Sequence, residues 1–272
     1  MYGSIVINTS QFNSYYTNAI SSPPIFGAKT FPVIYMQDGQ NIFNPETSYN
    51  GEEWGVDEAI SKLSKEKKIP EAIVVGIWNT PKRYQEYMPE KPFRNLERSS
   101  AVELQKIYGG MPVSDNYLKF IVEELKPFVD SVYRTKPGRK EIFIMGSSMG
   151  GLISMYAVCE YPQIFRGASC LSTHWIGDEN AEQHAVSDAF VTYLNENLPD
   201  AGGHLFYFDY GTEGLDGLYE DHQQKIDQVM RAKGYKEGTD WITQKYKGHD
   251  HNEEYWRKRI DMPLMFLLSN NK

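Results

Sequence analysis

Hydrophobic residues fall along this chain in two kinds of block. Unbroken apolar runs at 31–36 (FPVIYM), 72–77 (AIVVGI) and 142–145 (IFIM) are too short for helices and predict strands of a parallel sheet buried on both faces. Further strands are predicted at 167–172 (GASCLS), 205–210 (LFYFDY) and 241–246, and residues 3–8 alternate enough to form an early one. In the other kind of block, apolar residues return every three or four positions. Val56, Ile60 and Leu63 line one face of a helix at 54–65, and Leu118, Ile121, Val122, Leu125 and Val129 one face of a helix at 116–133, interrupted near Pro127. Helices are also predicted after residue 151, through Leu152, Met155, Tyr156 and Cys159, and at 219–233. Residues 9–30 are mostly polar. The stretch 83–115 is rich in Tyr, Pro and charge without periodicity, which predicts a long loop, functional or mobile. Strands alternating with helices predict an α/β fold: one mostly parallel sheet with helices on both faces and a ligand site beyond the carboxyl ends of its strands.

The stretch 141–151, EIFIMGSSMGG, gives that site its chemistry. Gly146-Ser147-Ser148-Met149-Gly150 spells G-x-S-x-G, a weak pattern on its own. Here it joins a predicted strand to a predicted helix, the setting of a nucleophile elbow, where the serine takes a strained backbone conformation and exposes its oxygen above the sheet. Ser148 is therefore the expected nucleophile and Ser147 its neighbour. A phosphate-cradling loop would need a lysine after the second glycine, and none follows. A serine hydroxyl needs an imidazole to take its proton, and that imidazole a carboxylate to fix its tautomer. The chain supplies candidates in the order Ser, acid, His: Glu213 and Asp216 after the strand ending at Tyr210, then His249 and His251. His249-Asp250-His251 could also begin a metal site, but no further His or Cys cluster completes a ligand set, so no metal and no cofactor are expected. His174 precedes the acid and is expected to line the pocket.

Composition narrows the partners. The 272 residues, 40% hydrophobic, suffice for one large core, so a single domain over 1–272 is expected. A net charge of −8 and a pI near 5.3 argue against nucleic acid and anionic membrane surfaces. Cys159 and Cys170 read as buried thiols. No run reaches transmembrane length and no signal peptide is visible, so the default location is the cytoplasm, with a secreted or periplasmic one open to a trimmed chain. Oligomeric state stays open.

Four stretches carry a family resemblance: MQDGQNIF at 36–43, GSSMGG at 146–151, GTEGLDGLY at 211–219 and HNEEYWRKR at 251–259. Together they resemble the Putative esterase family of α/β-hydrolases, which includes esterase D, feruloyl and acetyl-xylan carbohydrate esterases, enterochelin esterases and mycolyltransferases. The resemblance runs from Phe31 to the C-terminus. It implies His251 as the base, since Trp256 follows it by the family's spacing. It favours Asp216 over Glu213 as the acid, and implies backbone N–H groups of Gln40 and Met149 as the oxyanion hole. Asp38, His174 and Trp175 are the expected substrate-binding residues. The segment before Phe31 looks short and diverged, so the antiparallel strands at that edge of the fold are expected to be reduced. The function implied is a serine esterase working through an acyl-enzyme on a small-molecule or carbohydrate ester, acetyl or feruloyl. An acyltransferase on the same triad and a non-catalytic carbohydrate-binding protein are the alternatives.

Overall fold

The computed structural model describes residues 3–8, 17–22, 29–178 and 183–269. Among these residues the strands in chain order are β1 (Gly3–Asn8), β2 (Thr17–Ser22), β3 (Val33–Met36), β4 (Ile73–Ile77), β5 (Ile142–Ser147), β6 (Gly167–Leu171), β7 (Leu205–Gly211) and β8 (Trp241–Tyr246). They form one 8-stranded sheet in the order β1-β2-β4-β3-β5-β6-β7-β8. From β4 to β8 every pairing is parallel, whereas β2 runs antiparallel to both β1 and β4. The predicted fold class holds, and the expectation of a reduced edge is corrected. β2, TNAISS, carries too little hydrophobic alternation to be read as a strand, yet its backbone pairs on both sides.

Side chains alternate between two cores, which is why the central strands are apolar throughout. Val33 and Tyr35 of β3 and Ile142 and Ile144 of β5 enter one core, while Ile34, Met36, Phe143 and Met145 enter the other. The second core is closed by α1 (Val56–Lys65) and by residues of the two C-terminal helices described below. Residues 83–115, expected as a loop, instead wind into α2 (Arg83–Tyr87), α3 (Glu90–Arg94) and α4 (Arg98–Ile107), pieces too short for helical periodicity to show. The helix expected at 116–133 is α5 (Ser114–Phe120) and α6 (Lys126–Val132) joined by a π-helical turn at Ile121–Leu125. That widened turn lies just ahead of Pro127, which has no N–H to donate and whose ring crowds the preceding turn.

The helix after the elbow is α7 (Met149–Glu160), buried from Met149 to Cys159. The remaining helices are α8 (Gln183–Asn197), α9 (Glu220–Ala232), α10 (Glu253–Arg259) and α11 (Asp261–Ser269). Both cysteines are free and buried. No helix of the described residues is long and apolar enough to cross a membrane. The connection after β3 leads to β4 on one side, and the chain later returns to place β5 on the other. That reversal opens a crevice at the carboxyl ends of β3 and β5, where ligands bind in open α/β sheets.

Candidate active site

Ser148 stands at that crevice, between β5 and α7. Its backbone lies at φ 56, ψ −125, a region that costs a non-glycine residue about 1–3 kcal/mol. The surroundings hold it there: its N–H donates to Leu171 O at 2.9 Å, and its carbonyl accepts from Gly151 N at 3.0 Å and His174 N at 3.2 Å. Gly146 is glycine for a steric reason, since a Cβ there would sit 2.8 Å from the Gly150 carbonyl and from Gln37 Cγ. Met149 opens α7, so its N–H has no acceptor within the helix and is free to face a ligand. Ser147 is buried beneath the elbow, whereas Ser148 is half-buried.

Beyond the carboxyl end of β7, the turn Gly214–Leu218 carries Asp216, and the loop before α10 carries His251. His251 Nδ1 lies 2.7 Å from Asp216 Oδ1. The carboxylate is closed to solvent, and its Oδ2 accepts from Gly211 N at 2.6 Å and from Ser172 Oγ at 2.7 Å. Burial alone would raise its pKa. His251, Ser172 and Gly211 outweigh burial and hold the carboxyl below its ordinary value, so it is ionised at neutral pH. The His251 ring meets Tyr219 at 5.6 Å and Trp256 at 5.1 Å, each near 80°, which fixes its plane. Trp256 lies one turn into α10, and this places it over His251 and gives the five-residue spacing its physical meaning.

The other acid and the other histidine lie apart from this pair. Glu213 is exposed, and its carboxylate accepts from the Thr212 hydroxyl at 3.0 Å. His249 is packed between Tyr246 and Tyr255, at 5.2 and 4.9 Å, and its carbonyl accepts from Thr212 N and Glu213 N. His249 and His251 therefore face different neighbours. Among the described residues, the acidic group whose ligand atoms gather within 4.8 Å is Glu53, Asp57 and Glu58. Glu53 there is already paired with Arg257 at 2.6 Å.

The turn after β3 packs directly on the elbow. Gln40 lies in the 3-10 turn Gly39–Asn41, its side-chain oxygen accepting from Asn79 N at 3.2 Å. Asp38, expected to bind substrate, is corrected to a buttress of this turn. Arg83 grips both of its carboxylate oxygens at 2.7 and 2.8 Å, Asn79 donates to one at 2.6 Å, and its own N–H donates to Tyr87 Oη at 3.1 Å. Trp175 is corrected as well. It is fully buried against Phe190 and Phe208 with its indole N–H on Gln223 at 2.8 Å, so it lines no pocket. His174 is half-buried beside the elbow with Nδ1 2.8 Å from Tyr219 Oη; burial, then the proximity of His251, lowers its pKa to about 4 and keeps it neutral. Arg83, Tyr219, Ser172 and Arg259 were not foreseen as part of this region. For Arg259 the visible signal was a basic residue closing the HNEEYWRKR stretch.

The chain is similar in sequence and fold to known proteins. The model of the family described as Putative esterase matches residues 9–267. An uncharacterised protein of Bacillus subtilis (strain 168) is 23% identical over 257 residues, 92% of this chain and 91% of that protein. The ferri-bacillibactin esterase of the same organism is 30% identical over 162 residues, 56% of this chain and 50% of that protein. Among solved structures, a ferulic acid esterase superposes with a TM-score of 0.67 at 18% identity, covering 99% of this chain and 98% of that one. The enterobactin esterase of Shigella flexneri, solved with enterobactin, gives 0.69 at 16% identity, covering 98% of this chain and 58% of that one. At these identities the structural likeness speaks to the fold.

Proposed function

This chain belongs to the Putative esterase family and is a serine carboxylic-ester hydrolase, and from that premise we propose that Ser148 is its nucleophile, His251 its base and Asp216 the acid, within one domain spanning 1–272. The observation that carries the assignment is the 2.7 Å bond between His251 Nδ1 and a buried, ionised Asp216. With Nδ1 occupied as a donor, Nε2 is the ring nitrogen able to accept a proton. In this reading Ser148 Oγ bonds to the ester carbon while its proton passes to His251 Nε2. The carbonyl oxygen becomes an oxyanion held by the N–H groups of Gln40 and Met149. His251 then protonates the departing alkoxide, leaving an acyl-Ser148. A water repeats the sequence, giving its proton to His251, and the acid leaves as Ser148 is reprotonated.

The oxyanion role makes Gln40 matter through its backbone. Gln40→Ala is expected to keep kcat near wild type, whereas Gln40→Pro, which removes the N–H at a helical φ that proline adopts, should lose about 10²- to 10³-fold. Steady-state kinetics of the two side by side check this, and an alanine as damaging as the proline would move the role to the side chain.

We further propose that the acyl group is aromatic, of the feruloyl type, on a carbohydrate alcohol, with His174 lining its pocket. The support is an aromatic cluster at α2, tied to the turn after β3. Arg83 and Tyr87 fasten α2 to the turn after β3, and Tyr84 stacks on Tyr108 at 5.5 Å with its own ring half exposed. An aromatic partner for such a ring contributes about 0.5–1.5 kcal/mol beyond burial, which is roughly two- to tenfold. A screen of feruloyl, acetyl and longer acyl esters is expected to rank feruloyl above acetyl in kcat/KM by about tenfold, with Tyr84→Ala narrowing the gap. An acetyl preference would contradict this assignment of substrate while leaving the triad untouched.

A further inference from the structure

Behind Asp216 lies a second buried charged pair that the reaction as described does not use. Asp209 of β7 and Arg259 at the end of α10 meet at 3.0 Å, both closed to solvent. Arg259 Nη2 also lies 2.6 Å from Ser172 Oγ and 3.6 Å from Asp216 Oδ2. A buried pair of this kind contributes little net stability, because desolvation offsets the attraction. Here Nε and Nη1 of Arg259 are buried with no hydrogen-bond partner among the described residues, while the guanidinium lies over the Tyr246 ring at 5.0 Å. Burial raises the Asp209 pKa to about 6 against the opposing pull of Arg259.

Ser172 links this pair to the acid. Its hydroxyl has one proton to give and two lone pairs to fill. Trp256 Nε1 at 3.0 Å and Arg259 Nη2 at 2.6 Å donate to it, and neither group can accept. The hydroxyl proton is thereby directed to Asp216 Oδ2, 2.7 Å away. Ser172 itself stands at φ 41, where a non-glycine residue is strained, and Asp209 fastens it by accepting its N–H through both the main-chain oxygen at 2.9 Å and Oδ1 at 3.1 Å. With Ser172 and Gly211 both on Oδ2, Oδ1 is the oxygen presented to His251.

We infer that Ser172, with the Asp209–Arg259 pair behind it, is a positioning device that aims the Asp216 carboxylate at His251. The inference rests on the triad proposed above. Two variants test it. Ser172→Ala removes the hydroxyl, and Asp209→Asn combined with Arg259→Met removes both charges of the pair together, so that neither is left buried without the other. Each is expected to lower kcat by about 10- to 100-fold, the worth of a hydrogen bond to a charged group, with KM within about twofold. In both, the low-field proton resonance of His251 Nδ1–H should shift or broaden, a change that loss of stability alone would not cause. Wild-type kcat and an unchanged resonance in both variants, whatever their melting temperatures, would overturn the inference. A double variant at wild-type kcat beside an impaired Ser172→Ala would overturn the part assigned to the charged pair. Asp216→Asn separates this from the triad itself: if that variant keeps its activity the triad reading fails, and if it collapses while the other two do not, only the positioning role fails.

Discussion

Asp216→Asn is expected to lower kcat by about 10⁴-fold, because an amide beside Nδ1 lets the imidazole adopt the wrong tautomer for taking the Ser148 proton. Glu213→Gln should leave kcat close to wild type. The contrast follows from placement. Asp216 is closed to solvent, holds His251 at 2.7 Å, and is kept ionised against its own burial by three donors. Glu213 is exposed at the start of the same turn, where a carboxylate eases the orphan N–H groups of a helical end and contributes little else. Both variants should bind substrate with similar KM, since neither carboxylate is placed to grip it. Kinetics of the pair measured together decide the matter. A collapse on Glu213→Gln with Asp216→Asn spared would reverse the assignment.

The contrast between these two acids also marks where the sequence stops being informative. Both lie within a few residues of the end of β7, and residue type does not say which one turns inward. That depends on Gly214 at φ 51 and on Gly211, where a Cβ would meet the His249 carbonyl at 2.0 Å, so that loop and strand close around Asp216. The elbow was legible because strand, glycines and helix are contiguous, and a local pattern reports local geometry. The proposed choice of His251 over His249 rests on the five-residue spacing to Trp256, whose ring packs on that of His251. Trp175 was misread because it follows His174 in the chain while its side chain enters the core. Asp38 was misread because its partner, Arg83, falls in a stretch whose short helices leave no period. β2 was missed because its small polar residues, on the strand next to the sheet edge, carry no apolar alternation. The link from Ser172 to Arg259 spans 87 positions, and nothing local in either segment announces it.

Replacing the nucleophile carries the largest expected effect. Ser148→Ala should lower kcat by about 10⁶-fold, leaving only the slow reaction that binding and the oxyanion hole sustain. Ser147→Ala should remain active, since that hydroxyl is buried under the turn. The elbow backbone is fixed by Leu171, Gly151 and His174 and not by the serine side chain, so Ser148→Ala should fold as the parent does. The most direct test of the account is covalent. A fluorophosphonate reacts with an activated serine and adds its mass to the residue it meets, so the adduct can be mapped by peptide mass spectrometry on the whole chain. The expected result is one adduct, on Ser148, lost in Ser148→Ala and strongly slowed in Asp216→Asn. An adduct on Ser147, or none on a chain that still hydrolyses esters, would contradict the account.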